Sequence, residues 1–430
     1  MRSFAPDFNL VQVINMISNE QFKILLGLPD IEIERIEFEG KNTVNIFVAS
    51  TKDGGHCHRC GKPIDNCYGV GQEIRLRHLP IFGYKTYIVI RPKRYQCQTC
   101  DQEPTTTQQL DWYTPKSPFT KAFEREVMRS LINSTIQDVS HKLDLGPDAI
   151  EGILDRTVDA AVDWKKIQSI KVIGIDEIAL KKGHRDFVTI ISSYVEDELI
   201  VLGILVNRTK AIVLEFFRSI PKRLRKTVEF VCSDLYQGFI GAAKAVFGKR
   251  VAVCADRFHV AKLYREALEV LRKKEMRRLQ KELSKLNYNS LENVLWIVRK
   301  PFDELTADER RILNRLFDFS PKLRQAYELC NSLTSILNAP LSKGQGKRKI
   351  KGWIQRVINS KLTCFNRFLK TLEGHMEEIT NYFIGRKNSG FVEGLNNKIK
   401  VLKRRCYGIT NHRRLFQRVY LDLHGYAMFA

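Results

Sequence analysis

Apolar runs between residues 171 and 256 constrain the fold of this chain more than any other feature. Three β-rich runs follow one another, VIGIDEIAL, FVTIISSYV and LIVLGILV, and two later runs are VEFVCSD and VAVCAD. Helix-like stretches from Lys210 to Ser219 and from Tyr236 to Phe247 precede those two later runs. This order predicts a mixed α/β sheet. After His259 the strand signals end, and residues 260–383 are rich in Leu, Lys, Arg and Glu at helical spacing, which predicts an all-helical insertion.

The residues before this sheet show shorter periodic segments. The first forty residues predict a short helix followed by a strand over 31–38, and we assign them no chemistry. Residues 42–115 alternate short strand-like runs with turns, which predicts a small β-rich unit. From 120 to 167 the apolar spacing becomes helical, with a break at Gly146-Pro147.

That helical segment contains the spacing of a helix-turn-helix. Residues 135–143 predict a first helix, residues 144–146 a turn and residues 147–156 a second helix, which begins with a proline. The second helix of such a pair lies in the major groove of DNA. In this interpretation three of its side chains approach DNA: Asp148, Glu151 and Arg156. The alternative is an ordinary helical hairpin that links two domains.

Two CxxC pairs provide the strongest metal signal. Cys57 and Cys60 form the first pair, and Cys97 and Cys100 form the second. Four thiolates suit one tetrahedral, structural Zn²⁺ ion, as in a zinc ribbon, and a hairpin over Ile74 to Ile90 can fill the long intervening segment. The alternatives are chance spacing or a redox pair. We interpret three neighbouring residues as surface or turn residues rather than ligands: His56, His58 and Cys67.

The charge of the chain favours a polyanionic partner. Lys and Arg total 71 against 48 Asp and Glu, a formal net charge of +23, and nucleic acid is the leading candidate. The segment from Lys398 to Arg418 holds basic residues and no acid, which favours contact with DNA phosphates over a solvated helix face. Its predicted DNA-binding residues are Lys398, Lys400, Lys403, Arg404, Arg405, Arg413 and Arg414. A similar role is open to Lys181, Lys182 and His184.

Two other features of the helical region concern its surface and core. The segment LSKGQGKRKIKGWIQR at 341–356 carries six basic residues, no acid and two early glycines, so we predict an exposed loop or hinge. Trp296 and Trp353 could stack on a flipped base, but core packing is the preferred interpretation for both.

Three carboxylates are candidates for metal-dependent chemistry. Asp176 ends the apolar strand at 172–175, Asp234 ends a second strand, and Glu393 lies in an amphipathic helix that can return beside the sheet. Such a set can hold two divalent ions, and Mg²⁺ (or Mn²⁺) suits these oxygen ligands. Asp256 also ends an apolar strand and competes with Asp234 as second ligand. Glu177 is interpreted as a structural charge.

Four runs resemble the ISL3 family of insertion-sequence transposases: GIDEIALKKGH, CSDLYQGF, ADRFHVAK and FVEGLNNKIKVLKRRCYGITN. The resemblance covers nearly the whole chain. It implies a zinc ribbon and a helix-turn-helix, followed by a ribonuclease-H-like domain whose Asp-Asp-Glu triad is interrupted by a helical insertion. It carries the catalytic and Mg²⁺-binding roles onto Asp176, Asp234 and Glu393, and it implies DNA strand cleavage and transfer at terminal inverted repeats. Asp256 and His259 resemble a supporting Asp-x-x-His pair of related transposases.

Together these signals predict a multidomain α+β protein. Its predicted divisions are an N-terminal segment (1–41), a zinc ribbon (42–117), a helix-turn-helix domain (118–167), a first catalytic part (168–262), a helical insertion (263–385) and a second catalytic part (386–430). Its partners are transposon ends and target DNA, and synapsis of two ends favours a homodimer. We expect a cytoplasmic, prokaryotic protein that associates with the nucleoid when bound to DNA and has no membrane partner, because apolar runs stay short of the roughly 20 residues that span a bilayer. A DNA-binding regulator derived from a transposase, or a metal-dependent nuclease without strand transfer, are the alternative functions.

Overall fold

The structure is a computed structural model that describes residues 19–179, 187–195, 198–387 and 390–429. The chain divides into two compact units: the first comprises the residues up to 157 and from 422 onward, and the second comprises residues 158–421. The predicted DNA contacts Lys181, Lys182 and His184 lie outside the described residues. No helix of the described ranges is both long and apolar enough to cross a membrane.

Along the described part of the first unit, one short helix comes first, a series of strands follows, and further helices come after the strands. Its described elements are α1 (Asn19–Leu26), β1 (Ile31–Glu39), β2 (Thr43–Ser50), β3 (Gly55–His56), β4 (Pro63–Ile64), β5 (Cys67–Val70), β6 (Ile74–Ile81), β7 (Tyr84–Ile90), β8 (Lys93–Gln96), β9 (Thr105–Thr107), α2 (Lys121–Leu131), α3 (Ile136–Leu143) and α4 (Pro147–Thr157). The predicted first strand and the predicted hairpin over 74–90 are both present, as β1 and as β6 with β7.

A four-stranded sheet with the order β1-β2-β7-β6 forms the core of the described part of this unit. β2 runs parallel to β7, and the other neighbouring strands are antiparallel. Every second residue of β2 is buried, because alternate side chains of a strand point to one face. Val44, Ile46 and Val48 thus pack with Phe22 and Leu26 of α1.

Local hydrogen bonds define the helices that follow. Thr135 caps α3 in a reciprocal capping box with Asp138, which satisfies backbone donors that a helix start leaves open. Asp144, in the left-handed conformation, ends α3. The guanidinium of Arg77 on β6 donates to the carbonyl oxygens of Leu143 and Asp144, at 2.6 and 2.8 Å. The turn between α3 and α4 is therefore attached to the sheet.

The second unit begins with the predicted alternation of strands and helices. Its described elements are β10 (Val172–Ala179), β11 (Phe187–Val195), β12 (Glu198–Leu205), α5 (Lys210–Ser219), α6 (Lys222–Arg225), β13 (Phe230–Ser233), α7 (Gln237–Phe247), β14 (Ala252–Ala255), α8 (Arg257–Glu282), α9 (Lys285–Asn289), α10 (Val294–Ile297), α11 (Ala307–Phe319), α12 (Pro321–Asn338), α13 (Lys343–Ser360), α14 (Asn366–Gly374), α15 (Met376–Gly385), α16 (Gly390–Arg405) and α17 (His412–Phe429), the last of which extends into the first unit.

The described strands of the second unit form a sheet with the order β12-β11-β10-β13-β14. The first three are mutually antiparallel, whereas β13 and β14 run parallel to β10. Helices cover both faces. Ile173, Val231 and Val253 pack with residues of α5 and α7. On the other face, Gly174 lies against Val392 of α16, and Asn381 of α15 donates to the Val253 carbonyl at 2.9 Å.

Helices from α8 to α15 share one apolar core within the described residues. The expectation of a loop or hinge at 341–356 is wrong, because α13 occupies most of this segment. Ser342 and Gln345 form a capping box at its start, and Ile350, Trp353 and Val357 lie buried on one face. Their apolar spacing outweighs the glycines and the positive charge. Trp353 packs in the core as expected, but Trp296 is 60% exposed, so the core assignment for Trp296 is wrong.

Candidate functional site

Four cysteine side chains of the first unit converge. The Cys57 sulfur lies 3.9 Å from that of Cys100, and the Cys60 sulfur lies 3.8 Å from that of Cys97. All four lie within 4.8 Å of one another, and the described residues contain no other such set of three or more His, Cys, Asp or Glu groups. Backbone amides of Cys60 and Arg59 lower the pKa of Cys57 to about 6. This favours the thiolate form that binds metal.

The neighbouring candidate ligands lie outside this four-cysteine cluster, as the sequence analysis predicts. The His58 ring shares a hydrogen bond of 3.0 Å with the Thr106 hydroxyl. Cys67 is exposed, and its thiol approaches the Gly69 carbonyl oxygen. His56 is likewise not part of the cluster.

Three aspartates occupy equivalent sequence positions relative to three adjacent strands of the second unit, one within β10 and the other two directly after the ends of β13 and β14. Gly174 pairs with Cys232 across β10 and β13, and Cys232 pairs with Cys254 across β13 and β14. Two positions further along each strand direction stands an aspartate, and side chains two residues apart share a face of the sheet. These residues are Asp176, Asp234 and Asp256.

Asp176 does not end its strand, which corrects the sequence prediction. β10 continues to Ala179 because it stays paired with β11, where Asp176 lies opposite Ile190. Pairing with the parallel neighbour β13 stops at Gly174. The strand prediction failed here because the antiparallel partner extends further than the parallel one.

The three aspartates and His259 share one electrostatic environment. Burial raises the pKa of Asp176 and that of Asp234, because the charged carboxylate loses hydration. The charges of Asp234 and Asp256 act on Asp176 in the same direction, whereas the charge of His259 opposes them. A bound cation would relieve this unfavourable grouping of negative charge.

Asp256 and His259 form a direct pair. One Asp256 oxygen accepts from the Phe258 backbone N–H at 3.0 Å and thereby caps α8. The other lies 2.8 Å from the His259 Nδ1 atom. The hydrogen bond with Asp256 raises the pKa of His259.

Glu393 lies in the first turn of α16, the helix that packs over β10, and its side chain is exposed. Asn396, one turn later, is buried and donates from Nδ2 to an Asp176 oxygen. Among the described residues, the carboxylate oxygens of Asp176, Asp234 and Glu393 do not form a group whose atoms all lie within 4.8 Å of one another. Asn396 was not among the residues predicted from the sequence. Its signal is its spacing, because Val392, Asn396 and Ile399 form one buried helix face.

The predicted basic contacts continue along α16 and into α17. Lys400, Arg404 and Arg413 are exposed, whereas Lys398, Lys403, Arg405 and Arg414 are half-buried. The Lys403 ammonium donates to the Ala179 carbonyl at the end of β10. Arg418, which belongs to the same basic stretch of sequence, is buried.

Comparison with known proteins explains this combination of parts. A family model described as a transposase matches residues 173–419. The helix-turn-helix domain of transposase family ISL3 matches residues 108–158, and the zinc finger of the IS204, IS1001, IS1096 and IS1165 transposases matches residues 53–100. The chain belongs to the ISL3 family of transposases.

Curated relatives of this ISL3 chain match along almost their whole lengths. The transposase for insertion sequence element IS1001 of Bordetella parapertussis is 24% identical over 414 residues, which cover 94% of this chain and 98% of the relative. The transposase for insertion sequence element IS1557 of Mycobacterium tuberculosis is 22% identical over 434 residues, covering 94% and 95% respectively.

The ISL3 helix-turn-helix corresponds to α3, the turn at 144–146 and α4, so this prediction is confirmed. Asp148 is exposed at the start of α4. Arg156, near its end, donates to the Glu124 carboxylate of α2 through Nε and Nη2, at 3.1 and 2.5 Å. This ion pair links α4 to α2. It also means that the guanidinium of Arg156, which we expected near DNA, contacts a carboxylate of the same unit.

Proposed function

We propose that this transposase binds the terminal inverted repeats of its element, and that Asp176, Asp234 and Glu393 catalyse DNA strand cleavage and strand transfer. The observation that carries the proposal is that Asp176 and Asp234 each stand two residues beyond the paired residues Gly174 and Cys232, and that the helix holding Glu393 packs over Gly174. Acidic side chains at the same end of neighbouring strands create a strongly negative, half-buried site.

The sheet is proposed to be ribonuclease-H-like. Its order, with three antiparallel strands and then two parallel strands at one edge, agrees with that assignment. The helical residues between the second acid and Glu393, from residue 263 within α8 to the end of α15, then form the insertion. We retain the domain divisions at 41, 117, 167, 262 and 385 as part of this proposal.

The donor set suits Mg²⁺ or Mn²⁺. Carboxylate oxygens are the ligands such hard cations prefer, and Asp176, Asp234 and Glu393 would hold two ions. Two bound ions would activate a water molecule or a DNA 3′-hydroxyl as the nucleophile, and they would stabilise the leaving oxygen. Asn396 orients the Asp176 carboxylate through its amide hydrogen bond. Glu393, exposed in the first turn of α16, can approach the aspartates by side-chain rotation.

Asp234 is preferred to Asp256 as the second ligand. The Asp256 oxygens are engaged by the Phe258 amide and by His259. For Asp234, the Tyr236 amide donates to Oδ1 at 3.0 Å. Asp256 and His259 therefore support the site: Asp256 holds the start of α8 and fixes the imidazole beside the aspartates.

The remaining parts are proposed to bring DNA to this site. One Zn²⁺ ion held by Cys57, Cys60, Cys97 and Cys100 would stabilise the ribbon. The helix-turn-helix would bind the element's ends, and the seven basic residues from Lys398 to Arg414 would neutralise phosphates near the cut. Two chains would pair when two ends are brought together.

A strand-transfer assay tests this proposal. Purified full-length protein is incubated with labelled DNA carrying the element's termini, with supercoiled target DNA and with Mg²⁺. We expect labelled ends covalently joined to target. Cutting without joining would favour a nuclease, and end binding without either reaction would favour a regulator.

A further inference from the structure

The turn between α16 and α17 presents an aromatic side chain to solvent. Tyr407 is 97% exposed, so its ring packs against almost nothing within the described residues. Its backbone φ is +51°, a conformation that is unfavourable for residues other than glycine. An exposed ring on a strained backbone adds little to the stability of the fold, which favours a role in binding.

Hydrogen bonds at both ends hold this turn in one conformation. The Tyr407 and Gly408 amides donate to the carbonyl oxygens of Arg404 and Lys403, at 3.2 and 2.9 Å, and so end α16. On the other side, the Asn411 side chain accepts from the Arg413 amide at 2.9 Å and starts α17. The backbone that carries the Tyr407 ring is therefore already ordered before binding, which reduces the conformational entropy lost when the ring binds.

The charge around Tyr407 identifies the partner as nucleic acid. Between Glu393 and Asp422 the sequence contains basic residues and no acid. Arg404 and Arg413, on either side of the turn, are exposed. An aromatic ring within a positive surface can stack on a base while the neighbouring cations contact phosphates, a combination that single-stranded or distorted DNA favours.

The helix fixes the distance of this contact from the acids. Asn396 of α16 contacts Asp176, and Tyr407 follows Asn396 by eleven positions, the first nine of which, to Arg405, are helical. At ~1.5 Å rise per residue the helical part spans roughly 14 Å, and together with the two residues of the turn this corresponds to about four to five base pairs at ~3.4 Å each. Lys403 contacts the end of β10 on the way, so the helix keeps to the sheet over this distance.

We propose that Tyr407 stacks on a base of the bound end DNA about four to five base pairs from the cut bond, and so sets the position of the cut. This inference rests on the proposed function. It adds a positioning residue, which contacts DNA away from the reacting phosphate.

The test uses full-length protein without added Mg²⁺ and end DNA in which 2-aminopurine replaces one base at a time. Stacking changes 2-aminopurine fluorescence, and we expect the change at one or two adjacent positions about four to five base pairs from the cut. Tyr407→Gly removes the ring at a backbone angle that glycine adopts freely. It should abolish the signal and weaken end binding roughly 5- to 100-fold.

Two variants and one assay make the outcome decisive. Tyr407→Phe keeps a ring and should retain the signal, and Tyr426→Ala, which removes another exposed ring, should leave it unchanged. With Mg²⁺, Tyr407→Gly should cut at scattered positions. If wild-type protein cuts the ends but Tyr407→Gly gives the same signal, affinity and cut position, this inference is overturned alone. If wild-type protein neither prefers nor cuts end DNA, the proposed function fails and this inference with it.

Discussion

At the scale of single residues, Asn396 determines how Asp176 can act. A carboxylate beside other acids is repelled by them, and a hydrogen-bond donor fixes its orientation and stabilises its charged form. Asn396 is buried and donates to Asp176, whereas the adjacent Asn397 is exposed. The two neighbouring amides therefore form a natural test and control.

We expect Asn396→Ala to lower the rate of end cleavage by about 10- to 100-fold, the usual cost of removing a partner of a metal ligand. The loss should lessen at high Mg²⁺ concentration, because the Asp176 carboxylate would be less well oriented for the ion. Cleavage rates measured across Mg²⁺ concentrations check this. Asn397→Ala should behave as wild type, and equal rates for both variants would show that Asn396 has no positioning role.

His78 makes the first unit sensitive to acid. Burial lowers its pKa, and its ring contacts the Thr120 hydroxyl at 2.9 Å and the Leu26 carbonyl at 3.2 Å. The unfolded chain binds a proton more readily than the folded one, so stability is present above the ordinary pKa of 6.5 and is lost as pH falls below it.

Unfolding of wild-type protein and His78→Gln, followed by circular dichroism, measures this contribution. We expect the wild type to lose more stability between neutral pH and pH values below 6.5. Replacing the exposed His141 by Gln should leave the wild-type pH dependence in place. A His78 variant with an unchanged pH dependence would contradict the assignment.

At the scale of elements, the helix that carries Glu393 packs closely against the strand that carries Asp176. Gly174 makes this contact possible, because a Cβ atom there would lie 2.3 Å from Val392 Cγ2 and 2.6 Å from the Phe391 ring. These distances are far below normal contact, so a larger side chain at this position requires the Val392 and Phe391 side chains, the helix or the strand to shift. The residue that permits the approach stands two positions before Asp176.

We expect Gly174→Ala to destabilise the protein by about 1–3 kcal/mol, the usual cost of overpacking. It should also lower cleavage, because Glu393 and Asn396 move with the helix. Gly394→Ala is the control on the same helix, since a Cβ there meets nothing within 4 Å. Thermal unfolding and cleavage rates compare the two, and equal stability would contradict the close packing.

The cysteine cluster should behave as one cooperative element. The double variant Cys57→Ser with Cys60→Ser removes two of four ligands and should abolish zinc binding and reduce end binding, while the sheet of the second unit stays folded. Zinc content by mass spectrometry gives the answer. As a control, the variant Cys67→Ser, which changes an exposed cysteine outside the cluster, should retain the zinc ion. Zinc retained by the double variant would refute the site.

Elements could be predicted well where one periodicity prevails. Helices α5 and α7 follow directly from their apolar spacing, and α3 and α4 from their turn chemistry. The segment at 341–356 misled the prediction because its charges and two of its glycines, Gly344 and Gly352, lie towards the surface of α13, whereas Gly346, Trp353 and their apolar neighbours form the buried face. Composition describes a helix surface better than it describes its buried face.

At the scale of the whole molecule, the site depends on topology that local patterns do not contain. Asp176 and Asp234 precede a long helical run, and α16 returns to the sheet only after it. The sequence predicts the helix of Glu393, but the catalytic role of Glu393 came from the family resemblance. The spacing of Asn396 indicates a buried position on that helix and does not predict its contact with Asp176. The structure places α16 against β10, while the approach of the Glu393 carboxylate to the aspartates stays a prediction.

The most direct test of the central claim is metal-dependent cleavage of end DNA by Asp176→Asn, Asp234→Asn and Glu393→Gln variants, measured alongside binding of the same DNA. Each change keeps the side-chain size and removes one negative charge. We predict that every variant binds the ends as wild type does and loses cleavage by about three orders of magnitude or more, a barrier increase of at least ~4 kcal/mol. Cleavage at a rate near that of wild type by any one of them would contradict the account.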